Sequence, residues 1–164
     1  MRTQVVAEGE VKESRDAVVT YGHFTTIHPG HIRYLQNARS QGKELIIALI
    51  GDIEEKGEAK YAYSQKERSK SLKMLDIADK IVLLKTEDLM PLIDKVKPRI
   101  LILGGELQKA KKLEGAISLM RKNNGEVKFD AGDVHYASAD LLTSKQSDIA
   151  QKRINELRLA CKRQ

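Results

Sequence analysis

Hydrophobic residues along this chain follow two alternating rhythms. Short continuous runs, rich in branched residues and bounded by glycine or charge, cover residues 17–21, 45–50, 80–84 and 100–103, with a weaker run at 126–129. Between them lie stripes at spacings of three or four: Ile32, Leu35 and Ala38; Leu72, Leu75 and Ala78; Leu89, Leu92, Ile93 and Val96; Leu113, Ile117 and Met120. Continuous runs suit strands covered on both faces, and stripes suit helices with one buried side. The alternation predicts an α/β fold, a Rossmann-like doubly wound parallel five-stranded sheet with helices on both faces. Gly42 and Asn124-Gly125 are expected to end helices in left-handed caps, and Pro98 to separate a helix from the next strand.

The first sixteen residues carry no sustained rhythm and read as an N-terminal arm. Residues 17–142 form one domain, and 143–164 read as a basic C-terminal helix. That last segment holds six Lys or Arg against two Asp or Glu, so it carries +4 of the net +6. Its stripe of Ala150, Ile154, Leu157 and Cys161 predicts a packing face, a homodimer seam or a link to another domain. The basic tail also admits a nucleic-acid-binding reading. With aromatics at 4% and no Trp, however, there is little to stack on bases.

Cys161 is the only cysteine, which excludes an intramolecular disulfide and cysteine-based zinc clusters. No apolar run reaches the roughly 18 residues of a membrane span, and the polar first residues lack the apolar core of a signal peptide. The expected location is the cytoplasm, without membrane association.

In doubly wound sheets, ligands bind beyond the carboxyl ends of the strands. The segment following the first strand contains His28-Pro29-Gly30-His31. Pro favours the first helical position, which makes His28 the N-cap and puts Gly30 and His31 in the first turn. Amides of a first turn lack helical partners and favour anions. Gly30 leaves room for a phosphate, and two imidazoles can donate to charge that builds during phosphoryl transfer. Two plainer readings are ordinary helix-start residues and, with His23, a three-histidine metal site, though no acidic or Cys ligand lies nearby.

The segment from Thr20 to His31 resembles the HxGH nucleotidylyltransferases of the cytidylyltransferase-like group. It is most similar to members acting on sugar phosphates and polyol phosphates, such as glycerol-3-phosphate cytidylyltransferase and heptose-phosphate adenylyltransferase. Further similarity lies in Ser64-Gln65-Lys66-Glu67-Arg68, Ala78-Asp79-Lys80-Ile81-Val82, and Lys97-Pro98-Arg99-Ile100 leading to Gly104-Gly105-Glu106. The resemblance implies transfer of AMP or CMP from a nucleoside triphosphate to a phosphorylated acceptor, with release of pyrophosphate and no covalent enzyme intermediate.

It also implies roles for particular residues. His28 and His31 would be catalytic. Tyr21, Gly22, His23, Phe24, Gly30, Lys60, Gly104, Gly105, Glu106 and Ser138 would bind nucleotide; Asp52, Lys56 and Arg68 would meet the acceptor. Magnesium, Mg2+, is expected with the triphosphate rather than on protein ligands. The chain departs from the family pattern at Thr25, where Asp is usual, and at Ala137-Ser138-Ala139-Asp140, where an Arg and two Thr hydroxyls are missing. Asp76 stands where the glycerol-phosphate members tend to carry Arg, which favours ATP over CTP. A second reading follows from these departures, a catalytically impaired nucleotide-binding or sensing module of the same fold.

Overall fold

A computed structural model describes residues 2–129. In chain order its elements are β1 (Gln4–Ala7), β2 (Ala17–Gly22), α1 (Pro29–Ser40), β3 (Glu44–Leu49), β4 (Glu54–Glu55), β5 (Glu58–Ala59), α2 (Gln65–Leu75), β6 (Lys80–Leu83), α3 (Met90–Val96), β7 (Ile100–Leu103), α4 (Glu114–Lys122) and β8 (Glu126–Phe129). Six strands form one sheet in the order β1-β6-β3-β2-β7-β8, with all neighbours parallel. β4 and β5 form a separate antiparallel hairpin.

Strand side chains alternate between two helical layers, as period-two geometry requires. Val18, Leu45, Ile47 and Leu49 pack with Leu35 and Ala38 of α1 and Leu72 of α2. Val19, Ile46, Ala48 and Leu101 face the other way, against Leu92, Ile93 and Val96 of α3 and Met120 of α4. Helices therefore cover both faces, and each buried Leu, Ile or Val contributes roughly 1.5–3 kcal/mol of apolar transfer.

Among the described residues the sheet has six strands rather than five, and the extra one comes from the expected arm. β1 is an edge strand with largely exposed side chains, so it never needed the continuous apolar run that marks the central strands. Its attachment is polar. Asp76 ends α2 in the left-handed region at φ 53°, and its Oδ1 accepts the amides of Arg2 and Thr3, each at 2.9 Å. The buried Thr3 hydroxyl donates to the Ala78 carbonyl at 2.6 Å. Asp76 thus faces the N-terminal segment, and its charge gives no ground for preferring ATP over CTP.

Gly42 also plays another part than expected. It is not left-handed; a Cβ there would lie 2.6 Å from Val18 Cγ2, so the glycine permits close approach of α1's end to β2. At the end of α4 the left-handed residue is Asn124, at φ 61°, and not Gly125.

Connectivity fixes where a ligand can enter. From β2 the chain moves outward through β3 to β6, then crosses back to place β7 on β2's other side. The switch in strand direction of travel therefore falls between β2 and β7, where the loops diverge and leave a crevice. Ser138 and the C-terminal helix expected at 143–164 lie outside the described residues.

Candidate active site

A pocket of about 260 Å³ opens above this switch point. Its walls come from the turn after β2, the start of α1, the end of β3, the hairpin and the loop after β7. Tyr34 holds the crevice together from below. Its buried hydroxyl donates to the Ile102 carbonyl of β7 and receives the Tyr21 amide of β2 at 3.4 Å. Burial pushes the pKa of this phenol well up, so it stays a neutral donor.

The histidine wall is built by reciprocal capping. His28 is extended at φ −133°, Pro29 occupies the first helical position, and the His28 Nδ1 accepts the Gly30 amide at 3.0 Å. The His31 Nδ1 in turn accepts the His28 amide at 3.2 Å. A ring nitrogen that accepts from an amide carries no proton, so both neutral imidazoles hold theirs on Nε2. The rings lie 3.9 Å apart between centroids, and both line the pocket. Burial, then the neighbouring His28 and His23, lower the His31 pKa to about 4. It is therefore a neutral donor at pH 7.

The expected source of anion affinity changes accordingly. The Gly30 amide is taken by His28 Nδ1 and the His31 amide by the His28 carbonyl at 2.9 Å. The helix start presents ring N–H groups rather than those amides. Phe24 supports His31 from behind, with ring centroids 5.4 Å apart. It does so from a left-handed backbone, φ 46°, which is costly for a bulky residue and is a form of strain that gathers at functional sites.

His23 follows the same rule as the pair. Its Nδ1 accepts the Thr25 amide at 3.3 Å and lies 2.9 Å from the Thr25 hydroxyl, so Thr25 orients a pocket imidazole. The ring stacks on Tyr61 with centroids 4.9 Å apart. Burial first, then the cations Arg68, Lys112 and Lys60, lower its pKa.

Arg68 lies beneath this wall and does not reach into the pocket. It is 1% exposed. Its guanidinium donates to the carbonyls of His23 at 2.7 Å, Ile50 at 2.9 Å, Gly51 at 3.2 Å and Tyr63 at 3.0 Å. It also sits 4.8 Å from the Tyr61 ring centroid. The turn after β2, the end of β3 and the chain after the hairpin are thus tied to one side chain. Arg68, expected to meet the acceptor, has a positioning geometry, its donors directed to these carbonyls and to the Asp52 carboxylate at 3.4 Å.

Other expected residues divide between the pocket and its surroundings. Tyr21, Gly22, His23, Phe24, Gly30, Lys60, Gly104 and Glu106 line it. At Gly104 a Cβ would lie 2.5 Å from the Glu106 carboxylate, the movable end of a flexible side chain; Gly105 faces open space and is not in the lining. Lys56 and Gly57 both have positive φ, 54° and 80°, and form the two-residue turn of the hairpin. Lys56 is therefore exposed at the tip, outside the lining. Asp52 is also outside: its Oδ1 accepts the Gln65 amide at 2.7 Å and helps start α2.

Tyr34, Ile50, Tyr61, Leu107 and Lys112 are the pocket residues that sequence reasoning missed. Tyr34 could have been found, because it lies three residues beyond His31 on the same helical face. Lys112 had no local signal, being distant along the chain from every motif. Among the described residues, no group of three His, Cys, Asp or Glu is placed to hold a metal ion, and His23, His28 and His31 do not form the three-histidine site that spacing permitted. No described helix is long and apolar enough to cross a membrane.

Comparison with known proteins agrees with this geometry. The cytidylyltransferase-like family matches residues 19–157. The bifunctional protein HldE of Geobacter metallireducens is 34% identical over 104 residues, 62% of this chain but 21% of HldE, so the chain spans about a fifth of that relative's length. The FAD synthase of Archaeoglobus profundus is 30% identical over 141 residues, 85% of this chain and 91% of that enzyme. Among solved structures, a lipopolysaccharide core biosynthesis protein from Thermoplasma volcanium aligns with a TM-score of 0.58 and 26% identity, over 74% of this chain and 98% of the other. A pantothenate synthetase from Thermus thermophilus, at TM-score 0.52 and 12% identity over 90% of this chain and 69% of its own, shares the fold. The HxGH turn at the switch point of a parallel sheet and a match covering most of the chain lead to one conclusion: this protein belongs to the cytidylyltransferase-like family.

Proposed function

We propose that the chain is a nucleotidylyltransferase that moves AMP or CMP from a nucleoside triphosphate to a sugar-phosphate or polyol-phosphate acceptor. The observation that carries this reading is the reciprocal capping of His28 and His31, which fixes two Nε2 donors on one wall of the pocket. A phosphate oxygen of the acceptor attacks the α-phosphorus, the bond from that phosphorus to the β-phosphate oxygen breaks, and pyrophosphate leaves with the electron pair. Charge grows on the oxygen that bridges the α- and β-phosphorus atoms. Preorganised N–H donors lower the barrier there because they bind that charge more strongly than the ground state.

Magnesium would accompany the triphosphate, held on its phosphate oxygens, and would neutralise part of their charge. The chain's own contribution is Lys60 beside the pocket, the histidine donors and the aromatic floor. ATP is the preferred donor in this reading. Asp76 no longer supports that preference; the likeness to an FAD synthase does, since FAD joins an adenylyl group to a flavin polyol phosphate.

The test is a matrix of ATP and CTP against glycerol 3-phosphate, heptose phosphates and FMN, followed by pyrophosphate release. Pyrophosphate that depends on an acceptor supports transfer, and equal or better turnover with CTP would refute the ATP preference. Thermal stabilisation by a triphosphate without pyrophosphate from any acceptor would instead identify a nucleotide-binding module.

A further inference from the structure

Within the pocket lining, the full charges are those of Lys60, Glu106 and Lys112. The His23 and His31 pKa values lie below their ordinary range, which keeps both rings uncharged at pH 7. Both lysines rest on carboxylates, Lys60 on Glu55 and Lys112, from the turn Lys111–Leu113 before α4, on Glu87.

The Lys112 backbone is firmly placed. The next residue, Leu113, is fully buried, and its amide donates to the Ala110 carbonyl at 3.2 Å. From that anchor the side chain crosses the Tyr21 ring, with Nζ 5.9 Å from the centroid, and ends 3.2 Å from the Glu87 Oε2. Glu87 is held on its other side, since its carbonyl accepts the Tyr21 hydroxyl at 2.7 Å. The Lys112 and Glu87 side chains are 35% and 39% exposed. An ion pair this wet is worth about 0–1 kcal/mol. A phosphate group, with two or more charges and several acceptor oxygens, competes with it readily.

We propose that Lys112 is a phosphate-binding residue of this site, parked on Glu87 until a phosphorylated ligand enters and then transferred to it. The inference rests on the nucleotidylyltransferase reading of the pocket. Exchange costs little because Glu87, once released, stays at the solvent-exposed rim. The phosphate is either the β,γ portion of the triphosphate or the phosphate of the acceptor, and the two are separable by ligand.

Lys112→Met, Lys112→Arg and Glu87→Gln, each in the full chain, are titrated calorimetrically with ATP, pyrophosphate and glycerol 3-phosphate. Lys112→Met is expected to weaken binding about 10-fold, the scale of one charge-assisted contact, and Lys112→Arg to restore most of it. Glu87→Gln, which frees the ammonium, is expected to tighten binding. A merely structural ion pair would move both variants in the same direction. Loss confined to ATP and pyrophosphate assigns Lys112 to the leaving phosphates; loss confined to glycerol 3-phosphate assigns it to the acceptor. Wild-type affinity in Lys112→Met for all three ligands, or changes of the same sign in Lys112→Met and Glu87→Gln, overturns the proposal while leaving the function intact. A wild-type protein that binds none of the three overturns both.

Discussion

The Nδ1 of His31 accepts the backbone amide of His28 at 3.2 Å, while the Nδ1 of His28 accepts the amide of Gly30 at 3.0 Å. Each ring is therefore both part of a helix cap and a donor wall. The two roles can be separated by substitution. His28→Ala or His31→Ala is expected to lower turnover by about 10²- to 10³-fold, the effect of losing one preorganised donor. His28→Ala should also cost about 1 kcal/mol of stability, the usual loss for an N-cap. His28→Asn restores an acceptor for the Gly30 amide and recovers the stability, but not the turnover. The double Ala variant should not multiply the losses if the pair acts as a unit. Single-turnover rates and urea midpoints measure the two effects, and near-wild-type chemistry in either Ala variant would sink the assignment.

Burial of His31 gives stability a pH dependence. The His31 pKa is about 4 in the folded chain, below its ordinary value of 6.5. Between those values the unfolded chain binds a proton that the native site refuses, so stability rises with pH. The contribution is complete above pH 6.5 and is lost as pH falls towards 4. Urea midpoints from about pH 7 to about pH 4 should therefore fall in the wild type and fall less in His31→Gln. Parallel profiles for the two proteins would assign the loss to other groups.

The hairpin supplies an internal control. Lys60 lines the pocket with its ammonium 3.1 Å from Glu55, while Lys56 lies at the turn. Lys60→Ala is expected to weaken triphosphate binding about 10-fold, and Lys56→Ala to leave it within about two-fold. Titration at two salt concentrations checks this, because only the Lys60 variant should lose salt dependence. An equal loss in both variants would show that charge in the loop matters and its position does not.

Central elements were legible in the sequence because burial leaves a pattern there. Residues 45–50 and 100–103 had to be continuously apolar, and His28-Pro29-Gly30 announces a helix start on its own. β1 was not legible, since an edge strand needs backbone partners more than apolar side chains, and its anchor is a carboxylate at position 76. Within the site, local turns were readable and long-range convergence was not. Arg68 looked like a ligand-facing charge because nothing in its neighbourhood reveals that carbonyls from three separate segments meet its guanidinium. Lys112 was silent for the same reason.

That convergence makes Arg68 testable as a positioning residue. Arg68→Met leaves the carbonyls of His23, Ile50, Gly51 and Tyr63 without this donor and is expected to cost about 3 kcal/mol. Arg68→Lys should recover only part, since one ammonium cannot reproduce a planar fork of donors. A separate signature is the His23 proton affinity, which Arg68 helps to depress. An NMR titration of Arg68→Lys should still find it depressed, whereas Arg68→Met should show a higher His23 pKa and a lower turnover. A His23 titration unchanged in Arg68→Met would refute the coupling.

The pairing of Gln4 with Lys80 sets an order of events in folding. A ribosome releases residues 4–7 long before it releases residues 80–83, yet among the described residues β1 has no neighbour in the sheet other than β6. Closing so long a loop carries an entropy cost that local hairpins and βα turns avoid. Residues 4–7 must therefore wait, solvated, while β2 and β3 pair. Any fusion or leader placed before residue 4 acts on this docking step, at the edge of the sheet and away from the pocket.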